Sequence, residues 1–188
     1  MSSRGKRKKS DSTTTKSGIV TEHTVREIQQ ALHDSSLFNQ RSDIMVPNVS
    51  WGLLPYEADF ININRSGYMT EVEIKRSFED FKKDFNKSHS HDDERVYYFY
   101  YCVPEAIYDK VIEFLDEKYE GKPNYFKPAV LYYDEKLGIH NTGYGAICAM
   151  HKDGVRYRKL FLEEQLTVAR LGTLRYWKQE TKENNENV

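Results

Sequence analysis

The run Asp59-Phe-Ile-Asn-Ile-Asn-Arg-Ser-Gly-Tyr-Met-Thr-Glu-Val-Glu-Ile-Lys75 decides the fold. Residues 57–64 are rich in apolar and β-favouring types, and Arg65-Ser66-Gly67 is a turn signal with glycine free to take a positive φ. Residues 68–75 alternate: Met69, Glu71, Glu73 and Lys75 share one face, and Tyr68, Thr70, Val72 and Ile74 share the other. The stretch therefore reads as a hairpin. In a regular hairpin Asp59 lies opposite the end of the second strand, close to Glu73 and Lys75.

An Asp and a Glu brought together in this way make a hard-oxygen cation site. Mg²⁺ takes one or two carboxylates and fills its octahedron with water and phosphate oxygens. Such an ion polarises a phosphodiester and acidifies an attacking water, while Lys75 would hold that water, help deprotonate it, or neutralise charge in the transition state. The same pattern also describes a solvated strand face with a cross-strand ion pair, so the hairpin alone leaves both readings open.

The surrounding chain alternates helices and strands. Val25, Ile28 and Leu32 recur at helical spacing, with Thr21 or Ser17 available as a cap. Pro47–Trp51 reads as a short strand. Phe78, Phe81 and Phe85 form an aromatic stripe on a helix whose other face carries Lys82, Lys83 and Lys87. These lysines are either backbone-tracking charges or solvated surface. Residues 95–103 are a doubly buried strand, Pro104 opens a helix, residues 129–133 form a strand, 139–145 are turn-rich, 145–151 form a last strand, and 163–176 form a closing helix. Arg170, Arg175 and Lys178 on that helix are a basic strip or ordinary solvated charge. This order predicts an α/β fold: a central mixed β-sheet flanked by helices.

The order Glu57-Ala58-Asp59, then Glu73-Ile74-Lys75-Arg76-Ser77, then Asp80-Phe81 and Asp84, followed by a strand ending in Val103-Pro104, resembles the PD-(D/E)xK nuclease superfamily. Within it, the pattern is most similar to the MmcB-type DNA repair group, over roughly residues 45–150. Glu57-Ala58 stands where that group often carries paired arginines, and the segment between Pro104 and Ala129 is longer and more charged. The resemblance implies a restriction-endonuclease-like three-layer core and a metal-dependent nuclease acting on DNA, with 5′-phosphate and 3′-hydroxyl products. It implies Asp59 and Glu73 as ligands of Mg²⁺ or Mn²⁺, the main-chain carbonyl of Ile74 as a further ligand, and Lys75 as the residue that positions water. An acid from the first helix often joins such a site, which singles out Glu22, although a charge at a helix N-terminus has a structural use of its own. Ser77 and Lys82 are candidate phosphate contacts. Two other classes stand beside this reading: a DNA-binding accessory protein that keeps the core without catalysis, and a protein–protein module whose hairpin charges are structural.

Composition sets the limits. The chain has 188 residues, enough for one domain (19–178) between a basic disordered tail (1–18) and a polar one (179–188). Net charge is -1, so any attraction to nucleic acid rests on local patches rather than a global field. The basic cluster from Arg4 to Lys9 is either such a patch or a solvated tail. Cys102 and Cys148 sit in apolar runs, as buried free thiols do, and His89-Ser-His91-Asp92-Asp93 reads as a loop rather than a zinc site. No membrane-spanning run or signal peptide is visible, so the expected setting is cytoplasmic. A homodimer or a partner protein is left open.

Overall fold

The computed structural model describes residues 21–49, 52–86, 93–122, 127–145 and 157–186, the residues from 179 onward by backbone alone. The basic tail, Cys148, the histidines at 89 and 91, and most of the expected strand at 145–151 lie outside these residues.

The elements are α1 (Val25–Asp34), β1 (Ile44–Val49), β2 (Ala58–Ile63), β3 (Met69–Ile74), α2 (Phe78–Asp84), β4 (Val96–Pro104), α3 (Glu105–Lys118), β5 (Ala129–Tyr133), β6 (Ile139–Asn141) and α4 (Leu162–Glu186). The six strands form one sheet in chain order. β1, β2 and β3 form an antiparallel meander, β4 and β5 continue parallel to β3, and β6 turns back antiparallel on β5. Each parallel step needs a crossover, and α2 and α3 supply them.

The pleat divides the core in two. Ile61, Ile63, Met69, Val96, Phe99, Tyr101, Val103 and Val130 face α2, α3 and α4, where Phe81, Ile107, Val111, Leu115 and Val168 meet them. Phe60, Val72, Ile74, Tyr100, Cys102, Leu131 and Tyr133 face the other way, onto Ile28 and Leu32 of α1. The protein is thus an α/β fold of three layers with a mixed sheet in the middle. The aromatic stripe of α2 packs in the core: Phe81 lies 4.9 Å from the Tyr101 ring and 5.7 Å from Phe114.

Three local features differ from expectation. α1 begins at Val25, because Thr24 and Glu27 form a capping box: Glu27 N–H donates to Thr24 Oγ1 at 3.2 Å, and Thr24 N–H donates to Glu27 Oε2 at 2.7 Å. The turn-rich stretch after Lys136 holds the short strand β6, set up by Asp134, whose Oδ1 accepts from the Lys136 and Gly138 N–H groups. α4 continues to Glu186, well past Tyr176. It lies against β1, where Gly172 is needed: a Cβ there would meet Val46 Cγ2 at 2.9 Å.

Candidate functional site

β2 and β3 pair with Ile61 opposite Glu71 and Phe60 opposite Val72. One further step in this register sets Asp59 across from Glu73. Alternation puts Asp59, Glu71, Glu73 and Lys75 on the face that also carries Ile61, Met69 and Tyr101. The hairpin therefore brings Asp59, Glu73 and Lys75 together, at the end where β2 begins and β3 finishes.

Each side chain is held. Asp59 Oδ2 accepts the Ile74 N–H at 2.8 Å, which joins the carboxylate to the end of β3. Lys75 Nζ donates to Glu73 Oε2 at 3.0 Å and to Asp84 Oδ1 at 2.9 Å. Asp84 comes from the last turn of α2, and its Oδ2 accepts from Tyr101 OH at 2.8 Å. Glu71 accepts from Tyr56 OH at 2.8 Å. Glu71, Glu73, Lys75 and Asp84 are all buried.

The electrostatics follow from this packing. Burial pushes the Asp59 carboxyl above its ordinary pKa, the Ile74 N–H and Lys75 pull it down, and Glu57 and Glu71 add to the rise. Burial works against the Lys75 ammonium, but Glu73 and Asp84 outweigh it and hold its pKa above that of a free lysine. An ammonium held in this way is a fixed charge and a donor, not a base.

The other candidates lie elsewhere. Glu22 is exposed and precedes α1, since the capping box starts the helix at Val25. It lines a cavity with Pro104, Tyr133 and Asp134, beside β5. From β2 to β5 is three strand spacings, on the order of 14 Å at about 4.8 Å each, so Glu22 is not brought to Asp59. Ser77 is the N-cap of α2, and its hydroxyl accepts the Asp80 N–H at 3.1 Å. Lys82 pairs with Glu79 at 2.8 Å and lies 5.0 Å from the centre of the Phe78 ring, on the outer side of α2.

The residue that α1 does send to the site is Gln29. Its Nε2 donates to Asp59 O at 2.8 Å and to Asn48 Oδ1 at 2.9 Å. Asn48 stands at φ +47° within β1, a left-handed conformation that asparagine tolerates better than most residues. That kink lets Val46 and Val49, three residues apart, enter the same half of the core while the Asn48 amide turns to α1. Gln29 sits beside Ile28 on the apolar stripe, so a polar residue on the buried side of that helix was its one signal in the sequence. Asp84 was visible only as the last position of the resembled pattern.

Among the described residues, no group of three or more His, Cys, Asp or Glu side chains is arranged to hold a metal ion. Asp59 and Glu73 form a two-carboxylate set, which falls below that number and suits an ion that keeps much of its water. The local charge fits a cation: among the described residues, Asp59, Glu71, Glu73 and Asp84 share this region with the Lys75 ammonium.

Comparison with known proteins adds little. No family model matches the chain, and no curated protein is similar to it. A solved structure, the SPO1766 protein of unknown function from Silicibacter pomeroyi, aligns at 11% identity over 79% of this chain and 84% of that one, with a TM-score of 0.49. Likeness at that level bears on neither fold nor function. No helix among the described residues is long and apolar enough to cross a membrane.

Proposed function

We propose that the protein is a metal-dependent nuclease that hydrolyses phosphodiester bonds in DNA. The observation that carries this reading is the meeting of Asp59, Glu73 and Lys75 at adjoining ends of an antiparallel strand pair, with more carboxylate than ammonium charge around them. The resemblance to the PD-(D/E)xK pattern supports it. Asp59, Glu73 and the Ile74 carbonyl would hold Mg²⁺ or Mn²⁺, which when bound supplies Lewis-acid polarisation of the phosphate and a more acidic water.

The remaining work belongs to the chain's own groups. The Ile74 N–H fixes Oδ2 of Asp59, so that Oδ1 would be the oxygen offered to the ion. Asp84 and Tyr101 keep Lys75 extended, so the ammonium stays at one place without reorganising. Its charge offsets the negative charge that grows on the phosphate oxygens during attack. DNA repair or the processing of phage and mobile-element DNA would be the setting, with a homodimer or partner protein completing double-strand cutting if that occurs.

A second reading rests on the same network. Lys75 is buried between two carboxylates, as in a structural ion-pair cluster, and a DNA-binding accessory protein or a protein–protein module could keep it without cutting.

A cleavage assay separates them. Labelled single-stranded, duplex, flapped and four-way DNA would be incubated with Mg²⁺ or Mn²⁺, using wild type and Asp59→Asn. Asp59→Asn is the better knock-out, since Lys75→Ala would strand two buried carboxylates. Metal-dependent cutting that disappears in Asp59→Asn is the expected result. No cutting of any substrate by wild type would turn the assignment to the second reading, and cutting that survives in Asp59→Asn would overturn the assignment of the activity to this site.

A further inference from the structure

We infer that the outer face of α4 is a docking surface for a second copy of this chain, whose own α4 lies across it antiparallel about a two-fold axis. The inference does not depend on the nuclease reading.

The helix period defines the face. A surface helix buries one apolar stripe and shows polar residues to solvent. α4 is apolar on two sides. Val168 is buried, and Gly172 meets Val46 of β1, so that side faces the sheet. Leu166 and Arg170 stand two residues before these, about 200° away around a helix of 3.6 residues per turn. Leu162, Leu166, Arg170, Thr173 and Trp177 follow one another at spacings of three and four and form one outer stripe, with Leu174 beside it. Among the described residues, the exposed large apolar side chains are Phe161, Leu162, Leu166, Leu174, Tyr176 and Trp177, each between 49% and 66% exposed. All six belong to this helix or to the residue before it.

Area favours a protein partner of ordinary size. At such exposures each of these side chains offers on the order of 100 Å², so Phe161, Leu162, Leu166, Leu174 and Trp177 together offer roughly 500 Å². Monomers rarely leave that much apolar surface in one patch. A standard interface takes about 800 Å² from each partner, of which about 60% is apolar, or roughly 480 Å². The outer face of α4 supplies that share from a single helix.

Charge selects a second copy and its direction. Glu163 and Arg170 lie two turns apart on this side of the helix, and both are exposed. Among the described residues neither has an ion-pair partner, whereas neighbouring Glu164 is held by Arg158 and Arg175 lies 3.9 Å from Glu57. Parallel packing of two α4 helices would set Glu163 on Glu163 and Arg170 on Arg170. Antiparallel packing about an axis level with Val168 removes both repulsions. It sets Leu162 opposite Leu174 of the second copy and lays the Arg170 stem along Leu166 of that copy. The guanidinium then reaches Glu163 of the same copy, and Trp177 closes on its Phe161. Two-fold symmetry makes each of these contacts twice. The face is therefore complementary to itself in apolar surface and in charge.

The test is the association state of the full chain, followed by sedimentation equilibrium from about 1 to about 100 μM, a range suited to a micromolar Kd. Wild type should shift from monomer to dimer across it. Leu166→Asp puts a carboxylate into the middle of the interface twice and should weaken association by about a hundredfold or more. Glu163→Arg and Arg170→Glu each gather four like charges there, and each should weaken association by about tenfold or more at low salt. The double reversal, Glu163→Arg/Arg170→Glu, should return it to near the wild-type value. Lys110→Glu, a charge reversal on exposed α3, should leave it unchanged. The altered side chains are solvent-exposed in the monomer, and circular dichroism of each variant checks that it folds.

The inference is overturned if wild type stays monomeric throughout that range, which would leave the face to a different partner. It is also overturned if Leu166→Asp associates as wild type does, or if Lys110→Glu loses as much. Single reversals that leave association unchanged, or a double reversal that does not restore it, would overturn the antiparallel register on which the choice of a second copy rests.

Discussion

Lys75 carries its charge to a place where only 4% of the residue meets solvent. Burial of an isolated ammonium costs several kcal/mol, and here Glu73 and Asp84 offset it. Lys75→Met should therefore do more than delete a charge. It leaves two buried carboxylates facing each other without a cation, and unfolding free energy should fall by about 3–5 kcal/mol in urea titrations. A loss below about 1 kcal/mol would mean that the pair is hydrated rather than buried. Asp59 behaves in the opposite sense. Its folded pKa lies above the ordinary carboxylate value, so in the metal-free protein its ionised form opposes folding, and that penalty develops as pH rises above the unfolded pKa of about 3.9. Asp59→Asn should thus melt at a higher temperature than wild type at pH 7 in EDTA. Mn²⁺ at a hundredfold excess over Kd adds about 2.7 kcal/mol to a protein with a site, or roughly 5–10 °C at this size, and Asp59→Asn should lose that rise. A wild-type melt indifferent to millimolar Mn²⁺ would remove the metal from the proposal.

Elements of this chain are positioned by short polar devices as much as by apolar faces. The capping box at Thr24 fixes where α1 starts, and so places Ile28 and Leu32 on the sheet and Gln29 on Asp59. The β5–β6 turn depends on Asp134, which accepts two backbone N–H groups and pairs with His140 at 2.9 Å. The His140 hydrogen bond, with those N–H groups, lowers the Asp134 pKa to about 2. A depressed folded pKa stabilises above the unfolded pKa and loses that contribution as pH falls through the folded value. The turn should therefore weaken from about pH 4 to about pH 2. The gap in melting temperature between wild type and Asp134→Asn should be present at pH 6 and close over that interval. A gap unchanged at pH 2 would show that the Asp134 charge does not hold the turn.

Across the whole molecule, what was legible in the sequence followed from how local each cause was. β2 and β3, with the Asp59–Glu73–Lys75 grouping, could be read because a hairpin and a period of two are local. β5 and the doubly buried β4 could be read from unbroken apolar runs. The partners that complete the site could not. Asp84 and Tyr101 meet Lys75 only through the β3–α2–β4 crossover, and Gln29 finds Asn48 only because β1 kinks at a left-handed residue. Glu22 was drawn to the site by analogy, whereas the helix cap that excludes it is a Thr-x-x-Glu present in the sequence. β6 was hidden because three residues after a turn carry no period of their own. The same distribution of contacts predicts how the molecule opens. β3 is buried along its full length and paired on both sides, and β4 is buried from Phe99 to Pro104. β6 is short, partly exposed and at the sheet edge. Amide exchange measures the free energy of the smallest opening that frees each N–H. Amides of Val72 and Tyr101 should exchange only by global unfolding and share its dependence on denaturant. Those of Ile139–Asn141 should exchange roughly a hundredfold faster or more, with little such dependence. Equal protection of β6 and β3 would mean that the six strands open as one unit, and that the edge hairpin is held by contacts beyond the Asp134 turn.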